Sequence, residues 1–117
     1  MTAHMIEVLK LMACSANEQQ AALPDFVVVA DEIALLFDDE IRLIDTSVCP
    51  HDLRDGLRAI DERLSTMSEA PSLWTVNALA TSPEWQALRD TARRLLLSLG
   101  VEVSHPDLSW AAYVRAR

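Results

Sequence analysis

Five large apolar side chains in residues 53–67 recur at spacings of four, three, four and three: Leu53, Leu57, Ile60, Leu64 and Met67. An α-helix has 3.6 residues per turn, so this spacing places all five on one face. Charged and small side chains occupy most of the other positions, which suits the opposite face to water. Pro50 precedes the pattern, where its missing N–H costs a helix nothing. The segment therefore predicts an amphipathic helix with one face to bury.

Two further segments carry the same period with clear ends. Met5, Leu9 and Met12 predict a first helix over about residues 2–20, which Pro24 terminates. Ser82-Pro83-Glu84 is typical of a helix start, and Gly100 of a helix end, so a helix is predicted between them. A short helical turn is predicted near residues 74–80. A terminal helix is predicted from Asp107, with Trp110 and Val114 packing back on the core.

Residues 26–45 allow two interpretations. A helix places an apolar face opposite charged residues, and it follows the 3.6-residue period along the whole stretch; the apolar positions are Phe26, Ala30, Ile33, Phe37, Ile41 and Ile44. The alternative is a strand at residues 26–30, or a β-hairpin near residues 33–45, because β-branched side chains are frequent here. Glu40 falls inside the apolar arc of the helix. It therefore needs a polar partner, or the helix breaks at residues 38–40.

The expected fold is an all-α, single-domain bundle over residues 1–117, with four main helices and a short C-terminal helix. Half of the chain is hydrophobic, which is enough for a core, and its two glycines are too few for a fold dense in turns. Short loops between helices favour neighbouring helices packed as a bundle. No repeat or long linker divides the chain.

Motifs for catalysis, metal binding or cofactor binding are lacking in the sequence. His4, His51, His105, Cys14 and Cys49 show no metal-ligand spacing. Neither a nucleophile motif nor a glycine-rich phosphate loop is present, so no catalytic residue, metal or cofactor is expected. The nearest approach to the carboxylate pairs of all-α nucleotide pyrophosphohydrolases is Asp52-x-x-Asp55, which does not match their motif. An all-α metal- or nucleotide-dependent enzyme is the third hypothesis.

The negative charge is concentrated in one part of the chain. Residues 1–45 contain nine acidic and two basic side chains, a balance of −7, whereas the whole chain carries −8. This balance disfavours direct binding of nucleic acid, which requires a positive surface. The first apolar run is interrupted by Glu7 and Lys10, so neither a signal peptide nor a membrane span is expected.

Much of this excess falls on the predicted helix at residues 26–45. On a helical wheel, an acidic arc surrounds two apolar residues one heptad apart, Val28 and Leu35. An apolar centre with a charged rim is typical of a surface that binds a basic partner. The candidate partner-binding residues are Asp31, Glu32, Leu35, Asp38, Asp39 and Asp45. The competing interpretation is that Val28 and Leu35 pack beneath another helix.

The remaining arginines are expected on outward faces, paired with acids one helical turn away. Examples are Arg58 with Asp61 or Glu62, and Asp90 with Arg93 or Arg94; Arg54 and Arg89 are placed in the same class. Water and these pairs would account for them without a nucleic-acid site.

In size, acidity and expected helicity, the chain resembles the small acidic immunity proteins with which bacteria neutralise co-encoded toxins. The resemblance implies a cytoplasmic, non-enzymatic inhibitor of a basic toxin domain, such as a nuclease. The preference for arginine over lysine also suggests a bacterial source. The alternative function is an accessory or self-associating helical domain that acts as a homodimer or larger adaptor.

Overall fold

The computed structural model describes residues 1–113. Within them the chain forms six α-helices, in the order α1 (Ala3–Ala13), α2 (Ala16–Ala22), α3 (Val29–Ile41), α4 (His51–Met67), α5 (Val76–Thr81) and α6 (Pro83–Ser98). Single 3₁₀ turns at Thr46–Val48 and Pro71–Leu73 flank α4. The described residues include no strand, so the all-α prediction is confirmed. The hairpin alternative near residues 33–45 is wrong, because α3 continues through most of that segment.

The core forms around α1 and α6. These two helices pack on each other, α3 packs on α1, and α4 packs on α6. The five apolar positions of α4 are all buried, as the spacing predicted. The largest fully buried side chains include Trp85, Phe37, Met5 and Met12. The fold thus brings α3 and α4 side by side without making them each other's main packing partner.

The predicted first helix is two helices. α1 ends at Ala13, and Ser15 caps α2: its hydroxyl accepts from the Glu18 backbone N–H, while the Glu18 carboxylate accepts from the Ser15 backbone N–H. This reciprocal capping box starts a second helix, α2. The expectation of one continuous helix over residues 2–20 is therefore wrong.

Side chains from two other helices satisfy the carbonyl groups at the end of α1. The Gln19 side-chain amide donates to the carbonyls of Leu11 and Met12, at 3.2 and 3.1 Å. Arg93 Nε donates to the Ala13 carbonyl at 2.9 Å, and Arg89 Nε donates to the Cys14 carbonyl at 3.0 Å. Positive charge at a helix C-terminus also opposes the negative end of the helix dipole. These bonds tie α1 to α2 and α6.

The expected arginine pairs with nearby acids are not formed. Among residues 1–113, the ion pairs within 4.0 Å are Lys10 with Glu7 and Arg42 with Asp38. Arg89 was expected on an outward face, yet it is buried and bonds to carbonyl groups. The sequence around Arg89 gave no sign of this, because Arg89 and Arg93 donate to backbone carbonyl groups at the end of α1, which is distant in sequence.

α3 is shorter than the predicted segment. It begins at Val29, and the preceding residue, Val28, provides no side-chain cap. Asp31 and Glu32 supply negative charge to its first turn. Phe26 precedes the helix and is 37% exposed, so its expected place on the core face is wrong. Pro24 and the uncapped start keep residues 24–28 out of the helix.

The approach of α4 to α6 depends on a glycine. A Cβ atom at Gly56 would lie 2.3 Å from Cδ2 of Leu95, a buried residue of α6. Only a residue without a side chain leaves room for Leu95 at this crossing. The crossing packs α4 closely on α6.

α6 ends as predicted, but the tail does not form the expected helix. Gly100 has a φ of 70°, and the N–H groups of Gly100 and Val101 donate back to Leu97 and Leu96. Residues 107–113 are non-helical, and the remainder of the predicted terminal helix, including Val114, lies outside the described residues. The Asp107 N–H instead donates to Glu7, and Trp110 stacks on His4 of α1 with ring centroids 4.0 Å apart.

Candidate protein-binding groove

Four of the six predicted partner-binding residues lie together on the outer side of α3. Asp31, Leu35 and Asp39 are exposed, and Asp38 is half-buried. Leu35 is 56% exposed, so it does not pack beneath another helix. Val28, the other apolar residue of the predicted surface, is also exposed, although it lies just before α3 rather than within it.

Glu32 does not belong to this exposed set. It is 9% exposed, and burial, followed by repulsion from Asp39 and Asp31, raises the pKa of its carboxyl group. Burial, and then the charge of Glu32, raises the pKa of the Tyr113 hydroxyl group. The prediction that Glu32 contributes to an exposed binding rim therefore needs correction. The helical wheel placed Glu32 at the edge of the acidic arc. In the folded protein this edge is buried, whereas Asp31 and Asp39 are exposed.

The raised pKa of Glu32 has a consequence for stability. Because the folded state favours the protonated carboxyl group, the associated stability is present below the pKa of the unfolded chain and is lost as pH rises through the folded-state pKa. We expect Glu32→Gln to raise Tm by about 2–3 °C at pH 7, roughly half a kcal/mol, with no gain at pH 3.5. Thermal unfolding at both pH values measures this difference. A gain of the same size at both values would contradict the effect of ionisation.

Asp45 is exposed but lies beyond the end of α3. Its carboxylate caps the 3₁₀ turn at Thr46–Val48, accepting from the Ser47 hydroxyl and backbone N–H at 2.6 and 3.1 Å. These hydrogen bonds lower the pKa of the carboxyl group. The helix ends at Ile41, so the wheel that placed Asp45 on the same face extended too far.

Glu40, which required a partner on the apolar side, has one. It is 6% exposed and accepts a hydrogen bond of 3.3 Å from the Thr2 hydroxyl, at the start of α1. The helix does not break at residues 38–40. A buried carboxylate is thus accommodated by the adjacent helix terminus.

Between α3 and α4 runs an open groove of about 510 Å³. Its α3 wall includes Asp31, Leu35 and Asp38, and its α4 wall includes Asp61 and Leu64. The remaining lining residues are Ala34, Phe37, Ser65, Ser68 and Trp74. Three carboxylates therefore surround an apolar centre, and the lining of this part contains no basic side chain. We call it the acidic groove.

A second cavity of about 340 Å³ extends the acidic groove towards the end of α3. The two cavities share Asp38 and Asp61, one from each wall. Arg42 and Arg58 line the extension, so the sign of the charge changes beyond this pair of aspartates. The most negative part of the groove accordingly lies between Asp31 and the Asp38–Asp61 pair.

Asp38 already accepts a hydrogen bond from an arginine of the same chain, Arg42. Arg42 Nε lies 3.0 Å from Asp38 Oδ2, and Asp39 and Asp61 act on the same guanidinium through their charges. The Arg42 side chain is 74% exposed, and nearly half of the Asp38 side chain, 46%, is open to water. Exposed pairs of this kind contribute little to stability. An incoming cation could therefore replace Arg42 at low cost.

Trp74 closes one side of the groove and is held by the core. Its indole Nε1 donates to the Met67 carbonyl at 2.9 Å, and its ring meets Trp85 edge-on, with centroids 5.6 Å apart. Trp85 Nε1 donates to the Leu73 carbonyl at 2.7 Å. The wall is thereby fixed to the 3₁₀ turn that follows α4.

Asp61, Leu64 and Trp74 were absent from the predicted site. Asp61 was interpreted as a partner for Arg58, and Leu64 as a core residue only. Helical periodicity shows which side of α4 faces outward, but not that α3 lies beside it. Their part in the groove depends on the tertiary arrangement.

The structure offers no alternative site with metal-binding geometry: within residues 1–113, no group of three or more His, Cys, Asp or Glu side chains is arranged to hold a metal ion. Cys14 is buried, and this burial raises the pKa of its thiol. Cys49 is half-buried, with its thiol 3.8 Å from the Asp45 carbonyl.

The helices of residues 1–113 include none with the length and apolar character that crossing a bilayer requires. Comparison with known proteins gives no relative: no family model, curated protein or solved structure matches the chain significantly.

Proposed function

We propose that the protein is a non-enzymatic, cytoplasmic inhibitor that binds a basic protein partner through the acidic groove. The observation that carries the proposal is the set of three carboxylates, Asp31, Asp38 and Asp61, around the exposed Leu35. Opposite charge accelerates encounter with a partner, and a central apolar residue slows its release. The exposed Asp39 adds to the negative potential on the same helix.

The partner that best suits this surface is a bacterial toxin domain, such as a nuclease, whose own substrate site is positive. An acidic protein bound there would exclude the substrate without any catalysis of its own. The proposal extends the resemblance to immunity proteins in size, charge and helicity. It is supported by the exposure of Leu35 and by the absence of basic side chains from the main part of the groove lining.

Charge reversal tests this proposal directly. In the variant Asp31→Lys/Asp38→Lys/Asp39→Lys, we expect association with the basic partner to slow by about tenfold or more at low salt, because steering is lost. The partner to use is the polypeptide encoded by the neighbouring gene, with association rates measured by surface plasmon resonance at two salt concentrations. Relief of growth inhibition on co-expression gives a second readout.

The matched control is Asp55→Lys/Glu62→Lys/Glu102→Lys, which makes the same change in net charge at exposed positions that do not line the acidic groove. This control should retain more than half of the wild-type association rate at physiological salt. Circular dichroism should show equal helix content in both variants. Equal association by wild type and the groove variant would overturn the proposal.

A homodimeric adaptor is the second candidate, and several exposed apolar side chains favour it. Leu43, Val48 and Leu97 are 72%, 78% and 78% exposed. Light scattering coupled to size exclusion separates the two functions. A dimer that persists at high salt supports the adaptor, whereas a monomer that needs a salt-sensitive basic partner supports the inhibitor.

A further inference from the structure

We infer that the element bound in the acidic groove is an amphipathic basic helix of the partner, with two Lys or Arg residues seven positions apart and an aliphatic residue between them. The inference rests on the proposed function and specifies the partner's structure. It follows from the order of charges along α3, from the apolar side chains that line the groove and from the pair formed by Asp38 and Arg42.

The charges along the α3 wall have a helical repeat. Asp31 and Asp38 are seven residues apart, which is about 10.5 Å along the axis and nearly the same direction around it. Leu35 lies between them on the same wall, and the apolar side chains of Phe37, Leu64 and Trp74 also line the groove. The wall thus presents acid, apolar residue and acid in sequence along one line.

A helix lying along α3 can match this order. Basic residues at positions i and i+7 would face Asp31 and the Asp38–Asp61 pair, and a leucine at i+3 or i+4 would contact Leu35. An extended chain covers the same 10.5 Å in about three residues. Side chains three apart in a strand point to opposite faces, so a strand would offer only one of its two cations to the groove.

The Arg42 side chain shows that Asp38 can pair with a cation, as the partner's position i+7 requires. Its guanidinium already pairs with Asp38 at 3.0 Å and lies within the fields of Asp39 and Asp61. A partner arginine or lysine at position i+7 would take its place. Arg42 consequently acts as a competitor built into the groove.

A second copy of this chain does not supply the required pattern. Its ten basic residues include no two that are seven positions apart. Charge complementarity therefore favours a different protein over self-association through the acidic groove.

The test uses two synthetic helical peptides of identical composition, each of about 20 residues in an alanine and glutamine background. The first carries lysines at i and i+7 with leucines at i+3 and i+4. In the second, the later lysine moves to i+5, which turns it about 140° away from the first. Fluorescence anisotropy of labelled peptides on the full chain should give at least tenfold tighter binding for the first.

Three variants report on the contact itself, and a fourth is their control. Asp31→Asn and Asp38→Asn should each weaken binding of the first peptide about three- to tenfold, while Glu62→Gln, outside the acidic groove, should leave it unchanged. Arg42→Gln should strengthen binding about two- to fivefold by freeing Asp38. Such a gain is not expected from a general effect on folding, and circular dichroism of each variant checks that the helices are intact.

Equal affinity for the two peptides, no binding of either, or a loss of affinity in Arg42→Gln would overturn the inference. A dimer that blocks the groove would do the same. These outcomes are distinct from failure of the proposed function, which is judged on the whole partner and the triple charge reversal. If the whole partner binds in a salt-sensitive way while the two peptides bind equally, the inhibitor function is supported. The inference of a basic helix in the groove is then rejected.

Discussion

Arg89→Ala is expected to lower the free energy of unfolding by about 3–5 kcal/mol, a large part of the stability of a domain this size. The guanidinium is buried in α6 and donates from three nitrogens: to the Cys14 carbonyl at 3.0 Å, the Gln86 side chain at 2.9 Å and the Leu79 carbonyl at 2.7 Å. Removal of the guanidinium leaves the buried carbonyl groups of Cys14 and Leu79 without this donor. Each such loss costs about 1–3 kcal/mol, and the apolar stem of the side chain adds packing.

Urea unfolding followed by circular dichroism measures this effect. Arg93→Ala is the matched control, because Arg93 lies one turn further along α6, is exposed and, among residues 1–113, donates one hydrogen bond, to the Ala13 carbonyl at 2.9 Å. We expect the control to cost about 1 kcal/mol. Arg89→Lys should fall between the two, since an ammonium group cannot reproduce the planar geometry of the guanidinium. Equal losses for Arg89→Ala and Arg93→Ala would show that burial of the guanidinium contributes nothing.

Those elements of the fold that depend on local pattern were predictable. The apolar repeat of residues 53–67 corresponds to α4, and Ser82, Pro83 and Gly100 mark the ends of α6 as expected. The break after α1 also had a local signal, the Ser15-x-x-Glu18 box, which the continuous apolar period obscured. Periodicity alone could not show where one helix stops and a second begins.

Features that depend on contacts between distant elements were not predictable. Arg89 was grouped with the outward-facing arginines, yet two of its hydrogen-bond acceptors are carbonyl groups of other segments. The acidic groove needs α4 beside α3, and Asp61 joins it only through that arrangement. Asp31, Leu35 and Asp38 were identifiable because they share one face of one helix. Sequence therefore located one wall of the candidate site, and the fold supplied the other.

Trp85→Ala is expected to lower the free energy of unfolding by about 3–5 kcal/mol and to disturb the acidic groove as well. Trp85 is 1% exposed, so truncation leaves a large cavity beneath Trp74 and removes the hydrogen bond to the Leu73 carbonyl. Trp110→Ala, at a half-buried ring stacked on His4, is the matched control and should cost about 1 kcal/mol.

Trp85→Phe separates stability from the shape of the groove. Phenylalanine retains most of the buried apolar area but donates no bond to Leu73, so the loss should be about 1–2 kcal/mol. The 3₁₀ turn that carries Trp74 would then be less firmly held, and the indole N–H resonance of Trp74 should shift in the folded protein. Binding of the i, i+7 peptide should weaken in Trp85→Phe and remain unchanged in Trp110→Ala, because only the first variant alters a wall of the groove. Equal binding by both variants would show that support from the core does not control the groove.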